Sequence, residues 1–261
     1  MKNVELIAGI IVVILIITSI CVQLIVPTQI TIMDPLRDLL KSFLKQPWPK
    51  TILFPKNLVY EKSMDVDSLE GKPLIVEVSV EGVLLELFEL ENNTAFTIKA
   101  YSTSSATLEQ RPAVEFRVYG EYKKLIISAR GLLVELGLNT QVLKQLVVTG
   151  RGAFIQIDLN NTNLDLNLEG GLLTADLYYR KVERRVIKLY SKGSMINIDV
   201  ETTKNMPTYL KYDITNSFMS AKVDERTLNI PRTSIGEHGV KGGLEIYMEA
   251  KGSFIDISIN R

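Results

Sequence analysis

The sequence predicts an all-β fold: a β-solenoid or β-roll of strand–corner–strand repeats about twenty residues long, preceded by one transmembrane helix and a short amphipathic helix. Three observations carry this expectation. From Pro73 onward apolar residues alternate with period two and β-branched residues abound, while no long stretch keeps helical spacing. The alternation changes phase at recurring two-residue steps, most of which contain glycine. Ahead of this body lie two segments with helical patterning, one wholly apolar and one amphipathic. The alternative is an antiparallel β-sandwich of tight hairpins, because a two-residue loop also places its flanking residues on one face.

Residues 1–30 read as a transmembrane anchor. Leu6–Val26 holds 21 residues with no charge and one strongly polar side chain, Gln23. At ~1.5 Å per residue a helix of that length spans about 31 Å, the thickness of a bilayer's hydrocarbon core. The exit Pro27-Thr28-Gln29-Ile30 has no small-residue cleavage pattern, and Ile20 is bulky where lipoprotein processing at Cys21 needs a small residue. An uncleaved single-pass anchor is expected, with the lipid bilayer as the partner of residues 6–26. Lys2 is offset by Glu5, whereas Arg37, Lys41, Lys45 and Lys50 follow the span. Alone, that asymmetry places the following domain in the cytoplasm. The sequons Asn92-Asn93-Thr94 and Asn160-Asn161-Thr162 point the other way, since both fall in polar loops that a glycosylating enzyme can reach. With Asn92 and Asn160 as candidate glycosylation sites, the C-terminal domain is expected outside the cytoplasm, held at the cell membrane.

Residues 31–50 form the juxtamembrane amphipathic helix. Asp34 suits an N-cap and Pro35 the first helical position. Leu36, Leu39, Leu40, Phe43 and Leu44 follow one helical stripe, and Gln46-Pro47-Trp48-Pro49 ends it. This stripe and Trp48 are candidates for docking, either on lipid headgroups or on protein.

Residues 51–124 read as an N-terminal β region or solenoid cap, and 125–261 as the repeat body. Leu146, Val148 and Gly150 alternate on even numbers, then Ala153, Ile155, Ile157 and Leu159 on odd ones, the phase changing across Arg151-Gly152. The same change falls across Glu81-Gly82, Arg130-Gly131, Lys192-Gly193 and Lys251-Gly252. Two less regular copies place it across Gly171-Leu172 and Ser217-Phe218. From Leu125 onward the residue closing the first strand is small: Ala129, Gly150, Gly170, Ser191, Asn216 or Ala250, as a crowded inner bend requires. Successive members lie 21, 20, 21, 25 and 34 residues apart, so the later units carry insertions. A two-residue hairpin wants Asn, Asp or Gly first. Arg-Gly, Lys-Gly and Glu-Gly instead suit a corner with the glycine at positive φ.

The steps Gly131-Leu132-Leu133-Val134-Glu135-Leu136, Gly152-Ala153-Phe154-Ile155-Gln156-Ile157, Gly193-Ser194-Met195-Ile196-Asn197-Ile198 and Gly252-Ser253-Phe254-Ile255-Asp256-Ile257 carry a family likeness. Over Leu125–Arg261 the chain resembles the DUF4097-type putative adhesin families of bacteria and archaea, with their short strands and recurring glycine steps. The resemblance implies a surface β-solenoid and brings no catalytic set. The copies at Gly171 and Ser217 and the uneven late spacing depart from the pattern.

Composition narrows the chemistry. With 261 residues, 46% hydrophobic and 23% charged, the chain can bury a sizeable core. Thirty basic against thirty acidic side chains leave no positive excess for counterion release, so no nucleic-acid partner is expected. One Cys excludes an internal disulfide, and one Cys with one His excludes the usual structural zinc sets. His238, in Gly236-Glu237-His238-Gly239, reads as a solvated loop residue, and no nucleophile elbow accompanies it. No catalytic, cofactor-binding or metal site is expected. Aligned units place Glu135, Gln156, Asp176, Asn197, Lys222 and Asp256 at one outward position, with Asp158, Asp199 and Asp224 at another. Such rows suit Ca²⁺ or a sugar polymer, though alternation alone also makes them the solvated face of a sheet.

The function expected is that of a single-pass, membrane-anchored, extracytoplasmic module, structural or adhesive and non-enzymatic. Its partner would be a protein or an envelope polymer, and an uncapped stack edge would favour a homo-oligomer. The alternatives are an accessory subunit of a membrane complex and an anchored lipid-handling β protein with an open apolar trough.

Overall fold

Each change of phase in the sequence becomes a corner between two strands. The computed structural model describes residues 57–91, 93–102, 111–224 and 226–261. The expected anchor 1–30, the expected amphipathic helix 31–50 with Leu36, Leu39, Leu40, Phe43, Leu44 and Trp48, and the sequon residue Asn92 lie outside the described residues. In chain order the strands are β1 (Asn57–Asp65), β2 (Leu74–Glu81), β3 (Leu84–Glu89), β4 (Thr94–Ser102), β5 (Ala113–Val118), β6 (Lys123–Arg130) and β7 (Leu133–Leu138). There follow β8 (Leu143–Arg151), β9 (Phe154–Asn160), β10 (Leu164–Glu169), β11 (Leu172–Tyr179), β12 (Arg185–Lys192) and β13 (Met195–Thr202). The last are β14 (Thr208–Thr215), β15 (Phe218–Val223), β16 (Arg226–Asn229), β17 (Ser234–Gly239), β18 (Leu244–Lys251) and β19 (Phe254–Asn260). A short 3-10 turn, Val66–Leu69, joins β1 to β2. Among the described residues no helix is long and apolar enough to cross a membrane.

The strands form two mixed sheets, neither closed into a barrel. One runs β1-β4-β7-β3-β9-β11-β13-β19-β15-β16 and the other β17-β14-β18-β12-β10-β8-β2-β6-β5. Each of the pairs β2/β3, β6/β7, β8/β9, β10/β11, β12/β13, β14/β15 and β18/β19 places one strand in each sheet, so the two-residue steps are corners and not hairpins. Successive pairs stack parallel and in register. The antiparallel sandwich is therefore not what forms. Antiparallel pairing is confined to the ends, where β1, β4 and β5 cover one end and β16 and β17 the other. These strands occupy the positions from which neighbouring copies would otherwise extend the parallel stack.

One backbone residue makes each corner. Gly82, Gly131, Gly152, Gly170, Gly193, Asn216 and Gly252 all sit in the left-handed region, with φ between 50° and 61°, a conformation that costs most other residues ~1–2 kcal/mol. The N–H of each corner glycine donates to the neighbouring pair's carbonyl just before its own corner: Gly131 to Glu81, Gly82 to Arg151, Gly152 to Glu169, Gly170 to Lys192, Gly193 to Lys251 and Gly252 to Thr215. All six distances lie between 2.9 and 3.1 Å. Two sequence assignments shift accordingly. The corners placed at Gly171-Leu172 and Ser217-Phe218 turn on Gly170 and Asn216, so the closing inner residues are Leu168 and Ile214. The rule of a small residue there fails, because the crowded inner position follows the corner instead. Ala153, Gly171, Ser194, Ser217 and Ser253 occupy it at five corners, with Val83 and Leu132 at the other two, and a Cβ on Gly171 would meet the Ala153 carbonyl oxygen at 2.6 Å. The serines stay buried because they bond to one another and to backbone: Ser191 and Ser253 hydroxyls lie 2.8 Å apart, and the Ser253 N–H donates to Ser217 Oγ at 3.1 Å.

Stacking order differs from chain order at both ends. The pair β2/β3 lies between β6/β7 and β8/β9, and β18/β19 lies between β12/β13 and β14/β15. Residues 57–118 are thus woven into the body, and the division at residue 125 separates nothing in this fold. In stacking order the residues before five of the six corner glycines alternate in sign, Arg130, Glu81, Arg151, Glu169 and Lys192, and the alternation stops at Lys251, which lies beside Lys192. Ion pairs of 2.9 Å (Arg130–Glu81), 3.2 Å (Arg151–Glu169) and 2.9 Å (Lys192–Glu169) link them, and Lys192 foremost holds the Glu169 carboxyl below its usual range. Exposure to water keeps each pair weak.

Between the sheets the inner rows are filled. Ile127, Val148, Leu166, Ile157, Ala175 and Ile198 are wholly inaccessible or nearly so, which leaves no open trough of the kind a lipid-handling protein needs. Gly150 has no room for a side chain, since a Cβ there would meet Ile155 Cδ1 at 2.7 Å and Leu168 Cδ2 at 3.0 Å. At one end Phe96 and Phe116 close the gap between the sheets, with ring centroids 6.2 Å apart. Buried Lys123 seals the same end, its Nζ donating to Ser68 O at 2.6 Å.

Urea unfolding separates these constraints. Leu166→Ala is expected to lose about 2–5 kcal/mol through a cavity, and Gly150→Ala about 1–3 kcal/mol through overpacking. Gly152→Ala, whose nearest atom to a new Cβ is 4.0 Å away, should lose only the backbone cost of about 1–2 kcal/mol. A loss at Gly152→Ala greater than that at Leu166→Ala would contradict the corner geometry.

Candidate functional site

Parallel, in-register pairing sets the same outward position of successive strands side by side, about 4.8 Å apart. On the outer face of the β8–β10–β12–β18 sheet, one such row reads Val147, Asp165, Lys188 and Tyr247. Beside it lie Lys144, Gln145, Asn163, Arg184 and Val186, and these residues together with Leu164 line a groove of about 550 Å³. That volume falls in the ordinary range for ligand sites. Its charged lining is three cations, Lys144, Arg184 and Lys188, against one carboxylate, Asp165.

A buried carboxylate organises one wall. Glu245, only 2% exposed, accepts from Arg184 Nε at 3.0 Å and Nη2 at 3.2 Å, from the Tyr247 hydroxyl at 2.7 Å, and from the Gly242 N–H at 3.3 Å. These donors, Tyr247 first and Arg184 next, hold the Glu245 carboxyl below the usual carboxylate range even though burial opposes ionisation. The same bond raises the Tyr247 hydroxyl, which therefore stays a neutral donor. Arg184 is thus presented with a fixed guanidinium plane, and Tyr247 with a fixed ring. The ring of Tyr209 lies 5.9 Å from that of Tyr247, and Lys241 Nζ sits 4.8 Å from the Tyr209 centroid. Asn163 ties the groove floor together, donating to Lys144 O at 3.1 Å and accepting from the Val186 N–H at 2.9 Å.

The opposite sheet carries the outward rows read from the sequence, with three members displaced. The register aligns Glu135, Glu86, Gln156, Thr174, Asn197, Asp256 and Ser220. Asp176 and Lys222 belong instead with Asp158 and Asp199 in the next row, because their corners fall two residues earlier than assigned. Asp224, assigned to that second row, ends β15 with φ of 48° and pairs with Arg261 at 3.2 Å. Among the described residues no group of three or more His, Cys, Asp or Glu is arranged to hold a metal ion. Nearest the corner this face bears an apolar ladder of Leu133, Leu84, Phe154, Leu172, Met195, Phe254 and Phe218. The Arg232 guanidinium covers its end at 4.1 Å from the Phe218 ring centroid.

Asn160 closes β9, and its side-chain amide donates to Glu89, which also accepts from Thr140. Thr162, the hydroxyl residue of that sequon, is buried and donates to Asn160 O at 2.8 Å. His238 is not in a loop. It lies within β17, paired with Leu210 of β14, and is exposed at the rim of a second cavity of about 350 Å³. The groove itself was missed from the sequence. Its signal was present in the alternate residues Asp165, Lys188 and Tyr247, aligned by the same rule on the other strand of each pair.

No protein-family model matches the chain, and no curated protein matches it in sequence. Among solved structures, one from Clostridium sporogenes described as a "putative cell adhesion protein" is similar with a TM-score of 0.56 at 15% identity, covering 78% of this chain and 100% of its own. "Putative adhesin" structures from Bacteroides fragilis and Parabacteroides merdae align with TM-scores of 0.29 and 0.27 at 10% and 9% identity, over 78% and 76% of this chain and 98% and 95% of their own. The Clostridium sporogenes likeness shows a shared fold.

The depressed Glu245 carboxyl sets a pH dependence. Its contribution is present above the unfolded carboxylate pKa and is lost as pH falls through the lower folded value. The melting temperature of the wild type should exceed that of Glu245→Gln at neutral pH, and the gap should narrow as the pH falls below the ordinary carboxylate range. A gap that widens on acidification would refute the assignment.

Proposed function

We propose that the chain is a membrane-anchored β-solenoid that works outside the cytoplasm as a non-enzymatic structural or adhesive module of the cell envelope. The observation that carries this reading is the stack of seven in-register strand pairs. It repeats each outward position along a continuous face, which suits an extended partner, protein or envelope polymer, better than a small substrate. The fold shared with a solved structure described as a cell adhesion protein supports the adhesive role over an enzymatic one. The sole histidine, exposed on β17, lends no support to acid–base chemistry. The apolar span 6–26 supplies the anchor, and the sequon at Asn92 favours an external body against the basic flank Arg37, Lys41, Lys45 and Lys50, whereas in the folded chain the Asn160 amide is engaged by Glu89 and Thr162 is buried. With both stack ends covered by antiparallel strands, a homo-oligomer cannot simply continue the parallel stack.

Protease shaving of intact cells, with mass spectrometry of the released peptides and of any glycan on Asn92 or Asn160, tests this. Peptides from 57–261 should be released without lysis. Complete protection until lysis would reverse the topology and leave an accessory subunit of a membrane complex, docked through Leu36, Leu39, Leu40, Phe43 and Leu44, as the working function.

A further inference from the structure

We infer that the groove across β8, β10, β12 and β18 binds an acidic sugar polymer, one bearing carboxylate or sulfate groups; this deepens the surface-module reading and rests on it. Four features meet there. Lys144, Arg184 and Lys188 put three cations around the groove against Asp165 and the Glu245 that pairs with Arg184, which leaves one positive charge in excess, carried by the two lysines, for an entering anionic group. Arg184 is already held by two bonds from buried Glu245, which orients its remaining guanidinium donors before any ligand arrives. Tyr247 offers an aromatic face whose hydroxyl is engaged by the same carboxylate, an arrangement suited to the apolar face of a sugar ring. Asp165 and Gln145 supply an acceptor and an amide for hydroxyl groups.

The geometry selects a polymer over an isolated anion. The row Asp165, Lys188, Tyr247 continues into Lys211 of β14, so the groove follows the stacking direction. Along that direction, positions recur at about 4.8 Å, close to the advance of one sugar unit in an extended chain. A carboxylate and a tyrosine flanking the lysine favour hydroxyl-rich, ring-stacked ligands over a bare phosphate backbone, and the chain as a whole has no net positive charge.

The full chain in detergent is titrated with polygalacturonate, dextran sulfate, uncharged dextran and a single-stranded DNA oligonucleotide. The expected result is binding of an acidic polysaccharide that weakens with salt, with little binding of dextran or DNA. The double variant Lys144→Gln/Lys188→Gln should bind it at least about tenfold more weakly at an unchanged melting temperature, while Lys222→Gln on the other sheet binds as wild type. Equal binding of uncharged dextran, preference for DNA, binding of neither acidic polymer, or an undiminished double variant would each overturn the proposal. Shaved but non-binding protein would sink the groove and keep the surface module. Binding by a chain protected on intact cells would sink the surface location instead.

Discussion

The protein depends on a hydrogen bond made at each corner. A residue at positive φ turns the chain from one sheet into the other and, at six of the seven corners, directs its N–H at the carbonyl of the neighbouring pair. A chain that made the corner without the bond would lose the link that ties each corner to the neighbouring pair, about 0.5–1.5 kcal/mol at each. A chain that made the bond without the corner would continue straight and never form a second sheet. Because both demands fall on one residue, register propagates from pair to pair, and with it the alignment of every inner and outer row.

That register turns a degenerate sequence into ordered surfaces. Charges before the corners alternate only when read along the stack, with Glu81 set between Arg130 and Arg151. Apolar residues such as Phe154 and Met195, which point outward, shelter one another along the ladder with Leu172 between them. The cationic groove arises in the same way on the opposite sheet. Its one uncommon element is the buried Glu245, whose charge is tolerated because four donors converge on it.

The displaced pairs at the two ends answer a different need. A parallel stack exposes unpaired strand edges that would recruit further copies. Here the chain leaves stacking order near each end, returns to insert a pair inside, and lays antiparallel strands over the outside. Phe96, Phe116 and the Lys123–Ser68 bond then close the space between the sheets at one end.

Period-two alternation and the glycine after a charged residue were enough to place five of the seven corners from the sequence, because side-chain direction in a strand depends only on parity. Glu81-Gly82, Arg151-Gly152 and Lys251-Gly252 mark their corners with no help from the rest of the fold. Gly170 and Asn216 did not, since Gly170-Gly171 offers two candidate glycines and Asn216 stands where a glycine was expected. Which neighbour each strand takes was decided by the tertiary structure alone. Nothing local in Leu74–Glu89 says that it lies between units that follow it by thirty residues or more; that choice is made by packing and by covered edges. For the same reason Arg184 and Glu245, sixty-one residues apart, could become a site only after folding brought β12 beside β18.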